Sequence, residues 1–265
     1  MGKKIAIIGG GNLGTAITEG LIAAGFSKPA DIMITKRNIK TLTALQQKGV
    51  QVSHDNAHAL SFADVVILAV KPFQTQAVIS ALGKKFNPKK HLLISVVTGV
   101  TLEQLQQYAG KKMAIVRAMP NTAIAIQQSM TCLSAQGITD AQRSFTEDLF
   151  NQLGRAVWIE EKLMEAATIL GACGTAYALR YIRANIQGGI EIGFDAATAS
   201  LIAAQTVKGA SELLLQKGTH PEHEIDKVTT PKGCTIAGLN EMEHRGFSSS
   251  LIKGIVASYE KIAKD

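Results

Sequence analysis

Short β-branched runs alternate with helical patterns along the first part of the chain. Residues 4–8, 32–35, 65–70, 92–97 and 113–117 read as strands. Helical spacing of apolar positions lies between most of them, the order expected of stacked βαβ units with a parallel sheet. The run Val65-Val66-Ile67-Leu68-Ala69-Val70 is apolar on both faces, as a central strand covered by helices on each side requires. Thr101-Leu102-Glu103-Gln104 has the spacing of a capping box. A helix over about residues 140–153 and a strand over 156–159 close this part.

From about Lys162 the strand signals stop and alanine-rich helical stretches run to the end. Residues 164–187 are rich in Ala, Gly and Ile. Asp195 offers an N-cap for a helix ending near Lys217, with Gly218 as its stop. A further helix is expected from near Thr235 to Gly246, and a last one over about residues 248–263. The change of pattern divides the chain into 1–161 and 162–265, with no low-complexity linker and no internal repeat. Gly171, Ala172, Gly174, Ala176 and Ala178 allow close helix approach, and Gly188-Gly189 and Gly193 do the same or break the helix. So much small and apolar surface in a helical region predicts burial in a second copy, hence a homodimer.

A length of 265 residues, 46% hydrophobic and 18% charged, fits a globular chain with a sizeable core. No apolar run has the length of a bilayer span, and the first one is cut short by Gly9-Gly10-Gly11, which argues against a signal peptide. Cys132, Cys173 and Cys234 are widely spaced without metal-ligand spacing, so no metal and a reduced cytoplasmic setting are expected. The net charge of +7 comes from scattered lysines, with doublets such as Lys84-Lys85, Lys89-Lys90 and Lys111-Lys112. These read as solvated turns rather than a nucleic-acid surface, and a modest positive field suits anionic small molecules.

The first candidate site is a strand running into Gly9-Gly10-Gly11-Asn12-Leu13-Gly14. Gly9 permits a tight turn, Gly11 lets the backbone approach a pyrophosphate, and Gly14 packs helix on strand. Asn12 and Leu13 open the helix whose free N–H groups face the phosphates. A NAD-preferring site usually carries an acid at the end of the second strand; here the residues are Thr35-Lys36-Arg37-Asn38. A guanidinium grips a 2′-phosphate bidentately, so NADPH is favoured, NADH remains admissible, and Arg37 is the main clamp with Thr35 and Lys36 assisting. Val70-Lys71-Pro72 ends the central strand at the sheet edge that faces the cofactor, with Lys71 better suited to packing or to a phosphate than to proton donation. In Arg117-Ala118-Met119-Pro120-Asn121-Thr122, Pro120 fixes a turn, and Asn121 offers a donor and an acceptor for a nicotinamide amide or a substrate edge.

The second candidate site lies in Val228–Leu239, which joins hydroxyl side chains and a glycine to a helix start. The Thr235 hydroxyl and neighbouring N–H groups suit a carboxylate; an ordinary helix cap explains the position equally well.

Five segments in a fixed order resemble the pyrroline-5-carboxylate reductase family: Gly9-x-Gly11-x-x-Gly14, Asp55-Asn56, Ala69-Val70-Lys71-Pro72, Arg117-x-Met119-Pro120-Asn121 and Thr229–Leu239. The resemblance covers nearly the whole chain. It implies a Rossmann-type doubly wound N-terminal domain and an all-α C-terminal dimerisation domain. It also implies NAD(P)H-dependent reduction of 1-pyrroline-5-carboxylate to L-proline, the last step of proline biosynthesis, by dimers or higher oligomers such as decamers. By position, Asn56 and Ala69 to Pro72 would line the adenosine and ribose, and Thr35 and Arg37 the 2′-phosphate. Met119, Pro120 and Asn121 join the cofactor residues, Asn121 also the substrate residues. Thr230, Gly233, Cys234 and Thr235 would form the loop over the substrate carboxylate, from the partner subunit or packed beside it. Thr235, near the ring nitrogen, is the catalytic candidate.

The loop departs from the family's usual S-P-G-G-T-T, because Thr230, Lys232 and Cys234 replace Ser, Gly and Thr. Lysine loses backbone freedom if position 232 needs φ > 0, and a thiol is a poor donor. Thr175 stands where the family has a helix-bending proline. Hydride transfer to a C=N carbon needs a proton on nitrogen, from solvent or through a hydroxyl such as Thr235, and no His–Asp pair. His220, His223 and His244 fall in polar segments and are expected to be exposed, and Tyr177 in the core rather than a pocket wall. A reductase of another cyclic imine, or a cofactor-binding regulatory protein without turnover, are the competing readings.

Overall fold

The computed structural model describes residues 2–262. Among the described residues there are eight strands: β1 (Ile5–Ile8), β2 (Ile32–Thr35), β3 (Gln51–Ser53), β4 (Val65–Leu68), β5 (Leu92–Ser95), β6 (Ala114–Met119), β7 (Ser129–Gln136) and β8 (Gly154–Trp158). The helices up to the last strand are α1 (Asn12–Ala23), α2 (Thr43–Gln47), α3 (Asn56–Phe62), α4 (Thr75–Leu82), α5 (Leu102–Ala109) and α6 (Asp140–Asn151). After it come α7 (Met164–Ala167), a π-helical turn at Thr168–Cys173, α8 (Gly174–Glu191), α9 (Ala196–Lys217), α10 (Pro221–Lys227), α11 (Cys234–His244) and α12 (Phe247–Ile262). The expected end of the last helix, Ala263, lies outside the described residues.

The chain forms two compact units, one ending at Cys173 and one beginning at Gly174. In the first, the sheet order is β3-β2-β1-β4-β5-β6-β7-β8. The strands β1 to β6 are parallel in the doubly wound order, which reverses direction between β1 and β4. Strand β7 runs antiparallel to β6, a departure from the all-parallel expectation, and β8 is parallel to β7. Successive residues of β1 feed opposite faces: Ile5 and Ile7 join one core, Ala6 and Ile8 the other. Two apolar layers therefore clamp the sheet and hold the carboxyl ends of β1, β2, β4 and β5 at one edge.

The caps explain the helix limits. The Thr101 hydroxyl accepts from Gln104 N while the Gln104 side chain accepts from Thr101 N, the expected capping box. Asp195 accepts from Ala197 N and Thr198 N at 3.0 Å each, and α9 ends on Gly218 at φ 64°. In the second unit a Cβ at Gly189 would lie 3.1 Å from Ala199 Cβ, so that glycine lets α8 and α9 close up. This unit buries few large side chains: Ile192 is 78% exposed, Leu201 70% and Ile252 61%.

Candidate functional site

The turn from β1 into α1 is set by glycine geometry. Gly9 has φ 116°, and a Cβ there would lie 2.3 Å from the Ala69 carbonyl oxygen. At Gly14 a Cβ would lie 2.1 Å from the Gly9 oxygen, so only glycine lets α1 start this close to β1. Gly11 differs: the space around its Cβ position is open. It is the N-cap of α1, carries no side-chain cap, and no acidic residue stands in the first turn. The amides of that turn are free for an anion.

This turn opens onto a cavity of about 770 Å³ at the switch in strand order. Gly9, Gly11, Asn12, Leu13, Thr35, Lys36, Arg37, Asn56 and all four of Ala69 to Pro72 meet there. Lys36, Arg37, Lys71 and His54 line it, and no carboxylate does. The set fits a dinucleotide with an extra phosphate: a glycine cradle at one wall, cations at another, and no acid to grip a ribose diol. Thr35 is 2% exposed, and its hydroxyl donates to Asn56 Oδ1 at 2.6 Å. That bond aims the Asn56 amide. Asp55 caps α3 by accepting from Ala57 N at 2.7 Å, a bond that holds its carboxyl below the usual range.

Gly14, Met119, Pro120 and Asn121 do not line this cavity. Gly14 packs helix on strand, and the Met119 sulfur accepts from Thr98, which does line it. The Asn121 amide is engaged on both sides: Oδ1 accepts from Ala123 N at 3.0 Å and Nδ2 donates to the Gly171 carbonyl in the π turn at 3.2 Å. Thus the helix around Gly171 is irregular even without the proline absent at Thr175. Sequence reasoning missed Val96, Val97 and Thr98, although the rule that ligands sit beyond the carboxyl ends of strands applies to β5. It also missed His54, which follows a three-residue strand too short to show periodicity.

Sequence reasoning likewise gave Arg117 no partner. Its guanidinium is 2% exposed and forks to Glu161 (3.0 Å) and Glu165 (3.2 Å), while Glu161 also accepts from Leu102 N at 2.6 Å. Nε of Arg117 is buried without a partner. The strand that leads to Met119 and Asn121 is thereby pinned from behind.

In the second unit the Thr230 carbonyl accepts from Gly233 N at 2.9 Å, closing a turn with Pro231 and Lys232 at its centre. Lys232 has φ 60°, so this position does take the left-handed backbone that favours glycine. A Cβ at Gly233 would lie 2.5 Å from Thr230 Oγ1. Gly233 is the N-cap of α11 and supplies no side-chain acceptor, so the first amides, including those of Cys234 and Thr235, are uncapped. Cys234 is exposed and Thr235 half-buried. Tyr177 is half-buried and donates to Ser258 Oγ at 2.7 Å; His220, His223 and His244 are exposed, as expected.

The comparisons agree with this geometry. Residues 161–265 match the family model for pyrroline-5-carboxylate reductase dimerisation. Residues 4–99 match one described as NADP oxidoreductase, coenzyme F420-dependent. Pyrroline-5-carboxylate reductase 2 of Dictyostelium discoideum is 42% identical over 99% of this chain and 93% of its own length. Pyrroline-5-carboxylate reductase 1 of the same organism is 47% identical over 98% of this chain, which spans 49% of that longer relative. The solved structure of a pyrroline-5-carboxylate reductase from Coxiella burnetii superposes with a TM-score of 0.93 at 31% identity, covering 100% of this chain and 98% of that one. The chain belongs to the pyrroline-5-carboxylate reductase family.

Proposed function

We propose that the chain reduces 1-pyrroline-5-carboxylate to L-proline with NADPH, the last step of proline biosynthesis. The observation that carries this reading is the cavity at the strand-order switch, ringed by Lys36, Arg37 and Lys71 and free of carboxylates. NADPH bound there supplies hydride to the C=N carbon of the imine. The protein's part is binding and orientation. The uncapped amides after Gly11 hold the pyrophosphate, Arg37 and Lys36 hold the 2′-phosphate, and Asn56, aimed by Thr35, meets the ribose. Asn121, through its bonds to Ala123 and Gly171, acts as a brace for the chain beyond Met119 and Pro120.

In the substrate loop, Thr230, Gly233, Cys234 and Thr235 hold the carboxylate at the free amides of α11. Thr235 passes a proton to the ring nitrogen or orders a water that does. The exposed apolar side chains of residues 174–262 support a homodimer, from which a decamer is built. The functional boundary falls between residues 161 and 162. No described helix is long and apolar enough to cross a membrane. We assign the enzyme to the cytoplasm, with no nucleic-acid or membrane partner, on the scattered lysines and free thiols.

Lys232 and Cys234 favour one rival, a reductase of a different cyclic imine. NADPH oxidation with pyrroline-5-carboxylate, then with a panel of other cyclic imines, separates the readings. Turnover with the first supports the proposal, turnover with others alone supports the rival, and binding without any turnover supports a regulatory protein.

A further inference from the structure

We propose that His54 is a further member of the 2′-phosphate clamp and contributes to the preference for NADPH over NADH. The inference rests on the NADPH reading above. Strand β3 lies beside β2 with Ser53 opposite Thr35, and Lys36 N donates to the Ser53 carbonyl at 3.1 Å. The chain therefore leaves β3 at His54 on the same edge of the sheet, and at the same level, as it leaves β2 at Lys36. His54 lines the cavity together with Thr35, Lys36, Arg37 and Asn56. It is exposed, and among the described residues no hydrogen bond or ion pair engages its ring.

The charges around it are mostly cationic. Lys36 and Arg37, from the loop after β2, and Lys71, from the end of β4, line the same cavity. The neighbouring Asp55 carboxylate is turned to Ala57 N and feels Lys85 and His58. An imidazole N–H donates a hydrogen bond that a phosphate oxygen can accept, beside the guanidinium of Arg37 and the ammonium of Lys36. NADH carries a hydroxyl at that position and gains little from such a donor.

The test is the ratio of NADPH to NADH affinity at one pH and constant ionic strength, measured for wild type, His54→Ala, His54→Lys and Arg37→Ala. His54→Ala should lower the ratio about three- to fivefold, the size of one exposed interaction, and His54→Lys, which keeps a donor, should hold or raise it. A ratio unchanged in His54→Ala, or lowered equally in His54→Lys, overturns the role of His54 while Arg37→Ala still lowers the ratio. If Arg37→Ala also leaves the ratio unchanged, the NADPH reading itself falls and takes this inference with it.

Discussion

Lys232 shows how one residue can fit a fold poorly and still be kept. Its φ of 60° costs an L side chain roughly 1–2 kcal/mol, while glycine costs back roughly 0.5–1 through its freer unfolded chain. Lys232→Gly should therefore stabilise the protein by roughly half a kcal/mol, read as a higher melting temperature. A lower one would mean that the lysine side chain compensates by a contact of its own. Combined with Cys234→Thr, it should leave activity unchanged or raised. The need for φ > 0 was legible as a condition, because the family that the loop resembles usually has glycine at this position. Gly9, Gly11 and Gly14 were legible for a related reason: a fixed spacing of residues without Cβ says where backbones must meet. The commitment of the Asn121 amide to Ala123 and Gly171 was not, since its partners are a backbone N–H next to it and a carbonyl 50 positions away. Nor was the Arg117 fork to Glu161 and Glu165, for the same reason of separation.

Among the elements, those with strong local signals were found close to their limits. Strand β2 and helix α9 match the expected ranges because a β-branched run bounds one, and Asp195 and Gly218 bound the other. Strand β3 escaped because three residues cannot display a period, and β7 because Ser, Thr and Cys interrupt its apolar alternation. Helix α10 precedes the substrate loop and is tied by charge. Glu224 accepts from Lys227 Nζ and from the Thr219 hydroxyl, each at 2.8 Å, and the Lys227 bond first, then that of Thr219, lowers its pKa from 4.5 to about 2. A depressed folded-state pKa gives stability that is full above the unfolded value and is lost as pH falls through the folded one. The gap in melting temperature between wild type and Glu224→Gln should be open at neutral pH and close between pH 4.5 and about 2. A gap that persists at pH 2 would contradict this role.

At the scale of the molecule, the two units contrast in what they bury. The first encloses two apolar layers on a sheet; the second buries little more than Ala199 and Ala203 and exposes Leu179, Ile192, Leu201 and Ile252. Such a face is stable in water when a second copy covers it. Light scattering should give at least a dimer at all working concentrations, and a concentration-independent monomer would contradict the assignment. The central claim is chemical, and product analysis tests it most directly. Purified protein incubated with NADPH and 1-pyrroline-5-carboxylate should form one L-proline for each NADPH oxidised. NADPH oxidation without proline, or no oxidation by protein shown to bind the cofactor, would contradict it.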